Sequence, residues 1–392
     1  MNGRSSRVGV PKSWSQQAHA EWSAGRKGPA LKLLFELFDP KAPTPDLPLQ
    51  AAYYLFLDGA FQPARDLLER VITDYPDNLP LLLNLAVLQE RTRAFAQARQ
   101  TLERYVALGG AEVAAFDGLA TVSHQLGDDD AARKWGERAI SRKYEQASTS
   151  TPHIEFGSPR PGGTDIISFS LWGENPRYLR GALHNLLESR QLYPTFTCRF
   201  YIDASVPRDL RSALESEGAE VSFEDGEPST RHRLTRRFLV ADDLAVRRFL
   251  VRDCDSLVNS REAAAVHQWL DSGKPFHVMR DWWTHTDPML AGMWGGLGGV
   301  LPPLKPMIES YRSKQVETPN WDQWFLRDRV WPSIANVSFV HDRFFRPDGS
   351  APFPGPEPEG NYHVGQNEFA VRKAEQAAAL AAFRSDVPSL RL

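Results

Sequence analysis

The sequence predicts an α + α/β chain, an N-terminal α-solenoid followed by a Rossmann-like α/β domain. Three observations predict it. Small residues recur every 34 positions over the first 145 residues, and a Pro/Gly/Ser/Thr-rich stretch (QASTSTPHIEFGSPRPGG) follows. Apolar strand-like runs then alternate with helical patterns up to residue 258.

The repeat comes first. Ala18, Ala52, Ala86 and Ala120 form one 34-residue register, and Ala30, Ala64, Ala98 and Ala132 form a second. Glu-Arg recurs at 69–70, 103–104 and 137–138, while Gly25, Gly59 and Gly127 hold a further register in which Arg93 replaces glycine. The first alanine of each unit suits a helix that a second helix approaches closely. The glycine turns the chain between them, and the second alanine sits at the contact. Pro76 ends the second unit, where a helix cannot continue. This period resembles the tetratricopeptide repeat, so residues 1–145 are expected to be stacked helix pairs, with a degenerate first unit (12–45) acting as a cap. The resemblance implies a concave surface that binds a protein or peptide. The plainer expectation is a spacer or a dimerisation element.

Residues 146–164 are expected to be a linker. Strands are then expected at 165–171 (DIISFSL), 197–202 (TCRFYI), 219–223 (AEVSF) and 248–252 (RFLVR). Helices are expected at 176–190, 207–217 and 237–245. Alternation with short connections predicts a parallel, doubly wound sheet, which binds ligands at the carboxyl ends of its strands. The fourth strand delivers Asp253-Cys254-Asp255 there. Two carboxylates one residue apart can address one hard cation, with a nucleotide diphosphate filling the remaining positions.

The run TRRFLVADDLAVRRFLVRDCDSLV (235–258) resembles GT-A nucleotide-sugar glycosyltransferases with family 8-like motifs. The resemblance covers about residues 165–370 and implies a GT-A domain over 165–372, with a helical tail at 373–392. It implies a divalent cation (Mn2+ or Mg2+) held by Asp253, Asp255 and a late-loop histidine, His363 of His-Val-Gly. His341-Asp342 is a competing source of the third ligand. It makes Arg237 the contact to donor sugar and diphosphate, beside Arg236 in a cluster with Arg231 and Arg233. Asp322, in Asn-Trp-Asp-Gln, sits near the reacting carbon. Ser168, Trp172 and Gly173 are expected near the nucleotide base and ribose. On the acceptor side the expectations are Arg280, Asp281 and Trp282, with Trp294 and Gly295 from PMLAGMWGGLGG. The run 261–281 resembles an element of bacterial sugar transferases attached to repeats. Two departures stand out: Arg252 precedes the first aspartate where relatives are apolar, and no Lys-Pro-Trp follows His363-Val364-Gly365-Gln366.

The expected function is therefore metal-dependent transfer of a sugar from a nucleotide-sugar to a protein, peptide or glycan. Its alternatives are a scaffold whose transferase domain no longer turns over, and a nucleotidyltransferase, for which no glycine-rich triphosphate loop follows the first strand. A net charge of -3 gives no footprint for nucleic acid. Two distant cysteines support neither a disulfide framework nor a zinc site. With no apolar leader in the first thirty residues and no membrane-length apolar run, a cytoplasmic, soluble protein is expected.

Overall fold

The computed structural model describes residues 11–148, 154–224, 228–312 and 320–366, with 378, 380–383 and 387–390. The chain divides into two compact units, 1–139 and 140–392.

In the first unit, helices pair in chain order: α1 (Gln16–Ser23) with α2 (Lys27–Leu37), then α3 (Asp46–Leu57) with α4 (Phe61–Val71). They are followed by α5 (Leu79–Arg91) with α6 (Phe95–Ala107), and α7 (Val113–Gln125) with the start of α8 (Asp129–Ser148). Both alanine registers are buried. Ala18, Ala52, Ala86 and Ala120 expose 0%, 4%, 1% and 0% of their surface, and Ala30, Ala64, Ala98 and Ala132 expose none. A larger side chain at these points would hold the paired helices apart. The turns use left-handed backbone: φ is 78°, 77° and 78° at Gly25, Gly59 and Gly127, and 62° at Arg93.

The second unit is a seven-stranded sheet. Its strands and helices follow in order: β1 (Thr164–Leu171), α9 (Pro176–Leu192), β2 (Phe196–Asp203), α10 (Arg208–Ser216), β3 (Glu220–Glu224), α11 (Thr230–Thr235) and β4 (Val246–Arg252). Then come α12 (Ser260–Ser272), β5 (Phe276–Arg280), β6 (Met293–Leu297), α13 (Leu304–Ser310), α14 (Trp321–Phe325), α15 (Trp331–Ile334) and β7 (Ser338–Asp342). Strand order is β3-β2-β1-β4-β6-β5-β7. Successive β1 residues enter opposite cores, Ile166 with Phe249 and Trp294, Ile167 with Leu183 and Trp269. Burial on both faces accounts for apolar residues at successive positions, Ile166 and Ile167, with the small Ser168 and Ser170 buried as well.

Three expectations change. The sheet is mixed rather than all parallel, because β6 runs antiparallel to both β4 and β5. Its glycines permit the close fit: a Cβ on Gly295 would lie 2.6 Å from the Phe249 carbonyl oxygen, and one on Gly296 2.8 Å from the Phe276 ring. The helix expected at 237–245 is instead α11 followed by a 3-10 turn at Arg236–Ala241. Asp242 leaves the helical path to accept the Leu304 and Lys305 N–H groups at 2.6 and 2.9 Å. In the expected helical tail, the described residues form 3-10 turns at Ala381–Phe383 and Pro388–Leu390, and Leu380, Val387 and Leu390 pack in the core beside α9. The remainder of that tail lies outside the described residues.

Of the expected linker, Gly157 donates to Val300 O at 2.8 Å and Arg160 to Gly298 O at 3.0 Å, so this stretch lies along the sheet unit. No helix among the described residues is long and apolar enough to cross a membrane.

Candidate functional site

The last residue of β4, Arg252, turns into the core. Its Nε donates to Glu262 at 2.6 Å and its Nη1 to Trp294 O at 2.9 Å, while Tyr193 Oη also donates to Glu262 at 3.0 Å. This unusual arginine therefore serves an internal ion pair and does not line the cavity that its strand leads into. Beyond it the chain alternates: Asp253 and Asp255 face a cavity, and Cys254 is buried between them with its thiol on Ser170 O at 3.4 Å. Burial pushes the Cys254 thiol far above its ordinary value.

The turn is held from three sides. Asn185 of α9 donates to Ser256 O at 3.0 Å and accepts Val258 N–H at 2.9 Å. Ser256 Oγ donates to Gly365 O at 3.0 Å. A Cβ on Gly181 of α9 would fall 1.9 Å from Cys254 O, so only glycine lets the helix approach this closely.

Two arginines meet the two carboxylates. Arg177, at the start of α9, pairs with Asp255. Arg237, from the 3-10 turn before β4, pairs with Asp253 and donates through Nη2 to Asp322 at 2.9 Å. Ser168 Oγ donates to Arg237 O at 2.7 Å, and Arg237 N–H donates to Ser170 Oγ at 3.0 Å, which fixes the arginine's backbone on β1. Asp322 lies in the first turn of α14 and accepts the Gln323 N–H at 2.9 Å. Burial pushes its carboxyl up to about 6; Arg237 opposes the shift and the Asp253 charge adds to it.

Arg237, Asp253, Asp255 and Asp322 line one cavity of about 620 Å³ at the carboxyl edge of β1 and β4, with Trp172, Tyr178, His285 and Gln323 on its walls; Arg177 reaches it through Asp255. Asp253 gives Oδ1 to Arg237 and rests Oδ2 against Gly292, whose Cβ would fall 1.9 Å away. Two oxygen donors of this kind suit a hard cation that takes its remaining ligands from phosphate and water. Among the described residues no group of three or more His, Cys, Asp or Glu is arranged to hold a metal.

Several expected site residues lie elsewhere. His363 stacks on Trp282 with ring centroids 4.3 Å apart and donates through Nδ1 to Asn361 O at 2.8 Å, so neither residue lines the cavity. The competing pair is also occupied: His341 bonds His277 at 2.8 Å, and Asp342 accepts Arg280 at 2.6 Å. Arg280 and Asp281, expected on the acceptor side, are core residues. Asp281 takes the Val364 N–H at 2.8 Å and pairs with Arg261. Trp294 is fully buried against Phe249, and Gly295 lies within β6 opposite Leu250. Arg236 pairs with Asp203 and Glu224 and does not line the cavity. Ser168 acts through Arg237, and Gly173 (φ 73°) donates to Ser205 Oγ at 2.7 Å.

Arg177 and Tyr178 were not anticipated. The signal for them is their place just beyond the first strand of a doubly wound sheet, where such folds bind ligands.

A family described as Tetratricopeptide repeat matches residues 55–119. No curated protein matches the chain. Among solved structures, MamA AMB-1 is 22% identical over 34% of this chain and 78% of its own, with a TM-score of 0.30. MamA 41-end from Desulfovibrio magneticus RS-1 is 16% identical over 34% of this chain and 77% of its own, with a TM-score of 0.29. The tetratricopeptide repeats rest on the family match and on the helix pairs themselves.

Proposed function

We propose that the sheet unit is a GT-A-type glycosyltransferase that moves a sugar from a nucleotide-sugar to an acceptor. One observation carries this reading. Asp253 and Asp255 leave the central strand into a cavity that also holds a buried arginine bridging Asp253 and Asp322. Asp253 and Asp255 would hold Mg2+ or Mn2+, which when bound neutralises charge on a departing diphosphate. Arg177 and Arg237 supply guanidinium donors for phosphate oxygens, an alternative partner to the carboxylates they now hold. Asp322, pushed up to about 6, is poised to take the acceptor hydroxyl's proton near neutral pH. The repeats supply a protein-binding surface, which makes a protein or peptide the proposed acceptor or docking partner. The proposed setting is the cytoplasm, where two unpaired buried thiols remain reduced.

A second reading, a nucleotide-binding scaffold without turnover, is favoured by the ion pairs on both carboxylates. A thermal-shift screen of nucleotide-sugars with and without Mn2+, followed by donor hydrolysis, separates the two. Transfer predicts metal-dependent stabilisation by one donor. It also predicts sugar release that Asp255→Asn lowers at least about a hundredfold. Binding without release selects the scaffold. No stabilisation by any donor overturns both.

A further inference from the structure

Among the polar groups on the cavity wall outside the carboxylate–arginine network is an imidazole. His285 lies on a turn after β5, closed by its own N–H on Trp282 O at 2.9 Å. Its Nδ1 accepts the Asp281 backbone N–H at 3.0 Å. That donor is fixed, since Asp281 is fully buried and held by Val364 N–H and Arg261. On the other side of the turn, Lys143 Nζ donates to Thr286 O at 3.3 Å.

A ring nitrogen that accepts an N–H carries no proton, so the neutral imidazole holds its proton on Nε2. The ring lines the cavity, and among the described residues nothing accepts from Nε2. Removal from water, with the nearby His363 and Arg280, pushes His285 down to about 3, which keeps the ring uncharged. His285 therefore presents a fixed, neutral N–H in a cavity that also holds three carboxylates, Asp253, Asp255 and Asp322. An anion gains little from a neutral donor in such company. A sugar suits both partners, because each hydroxyl can donate to a carboxylate and accept from an N–H.

We infer that His285 binds the sugar portion of the ligand, donating through Nε2–H to a hydroxyl or ring oxygen. This inference rests on the transferase reading of the cavity. Two measurements on the intact chain test it. Nitrogen-15 imidazole spectra, with the His285 signals identified by their loss in His285→Phe, are expected to show a neutral Nε2–H tautomer from about pH 8 to about pH 5. An Nδ1–H tautomer, or a charged ring at about pH 6, overturns the inference without touching the transferase reading.

Calorimetric titration then compares UDP and GDP with their glucose conjugates. His285→Phe is expected to leave affinity for the bare diphosphate unchanged and to weaken the conjugate about tenfold. His285→Gln, whose amide can accept from Asp281 and donate into the cavity, is expected to restore it and guards against a folding defect in the first variant. Equal losses for both ligands, or no loss for the conjugate, overturn the inference. A wild-type chain that binds none of these probes overturns the transferase reading, and the sugar assignment falls with it.

Discussion

Arg93 holds a backbone conformation that its three counterparts reach with glycine: φ is 62°, against 77–78° at Gly25, Gly59 and Gly127. A side chain in the left-handed region costs about 1–2 kcal/mol, and glycine returns part of that through its freer unfolded chain. Arg93→Gly should therefore stabilise the repeat by up to about 1 kcal/mol, measured as a rise in its urea midpoint. The sheet unit carries a different residue-scale liability. Burial pushes His341 down to about 4 and His285 to about 3, and it lowers His277 as well, so all three fold as neutral rings. The unfolded chain takes up these protons below about pH 6.5, so stability is full above that value and falls towards pH 4. Asp322 works in the opposite sense below about 6, because its folded carboxyl holds a proton that the unfolded one loses, and it offsets part of the loss. Urea midpoints at pH 7 and pH 5 should show a net drop, and His341→Gln should shrink the difference. Asp253, Asp255, Arg237 and Asp322 were legible because short motifs carry them. Arg177, 78 residues from Asp255, and the fixed tautomer of His285 come into being only when distant backbone is brought together.

Two glycines tie the elements to the cavity, and they do so differently. A Cβ on Gly181 would strike backbone, the Cys254 carbonyl, at 1.9 Å, whereas one on Gly292 would strike the Asp253 carboxylate at 1.9 Å and come no nearer to backbone than 3.3 Å, at Asp253 N. Gly181→Ala should cost about 1–3 kcal/mol in a thermal melt and displace the whole aspartate turn. Gly292→Ala should leave the melt within about 0.5 kcal/mol of wild type and weaken metal-dependent donor binding at least tenfold. A melt that falls equally in both variants contradicts this distinction. The strands around these glycines were unequally legible. β1 (Thr-Asp-Ile-Ile-Ser-Phe-Ser-Leu) and β4 (Val-Arg-Arg-Phe-Leu-Val-Arg) announce themselves by their β-branched and aromatic residues, while β6 (Met-Trp-Gly-Gly-Leu) has no alternation, and nothing local encodes its reversed direction. Its pairing was set by the room its glycines leave for Phe249 and Phe276.

Across the whole chain, the repeats and the sheet build separate hydrophobic cores. Leu82, Ala98, Leu102 and Leu119 belong to one, Phe249, Trp294 and Phe325 to another. Ala98→Leu should therefore overpack the repeat by about 1–3 kcal/mol and lower its urea midpoint. Donor affinity should stay within about twofold of wild type, since the variant changes no contact in the cavity unit. The 34-residue period revealed the first architecture because it repeats. The division at 139/140 falls within α8, where an unbroken helical pattern hides it, and the Pro/Gly-rich stretch lies later. The same partition has a practical consequence for the thiol wedged between the two aspartates. Cys198 and Cys254 are the chain's two cysteines, both buried in the sheet unit, and burial holds both thiols protonated at neutral pH. An alkylating reagent can mark them only when that unit opens. The rate of labelling is thus a clock for the sheet alone, one that donor binding should slow and to which unfolding of the repeats is silent.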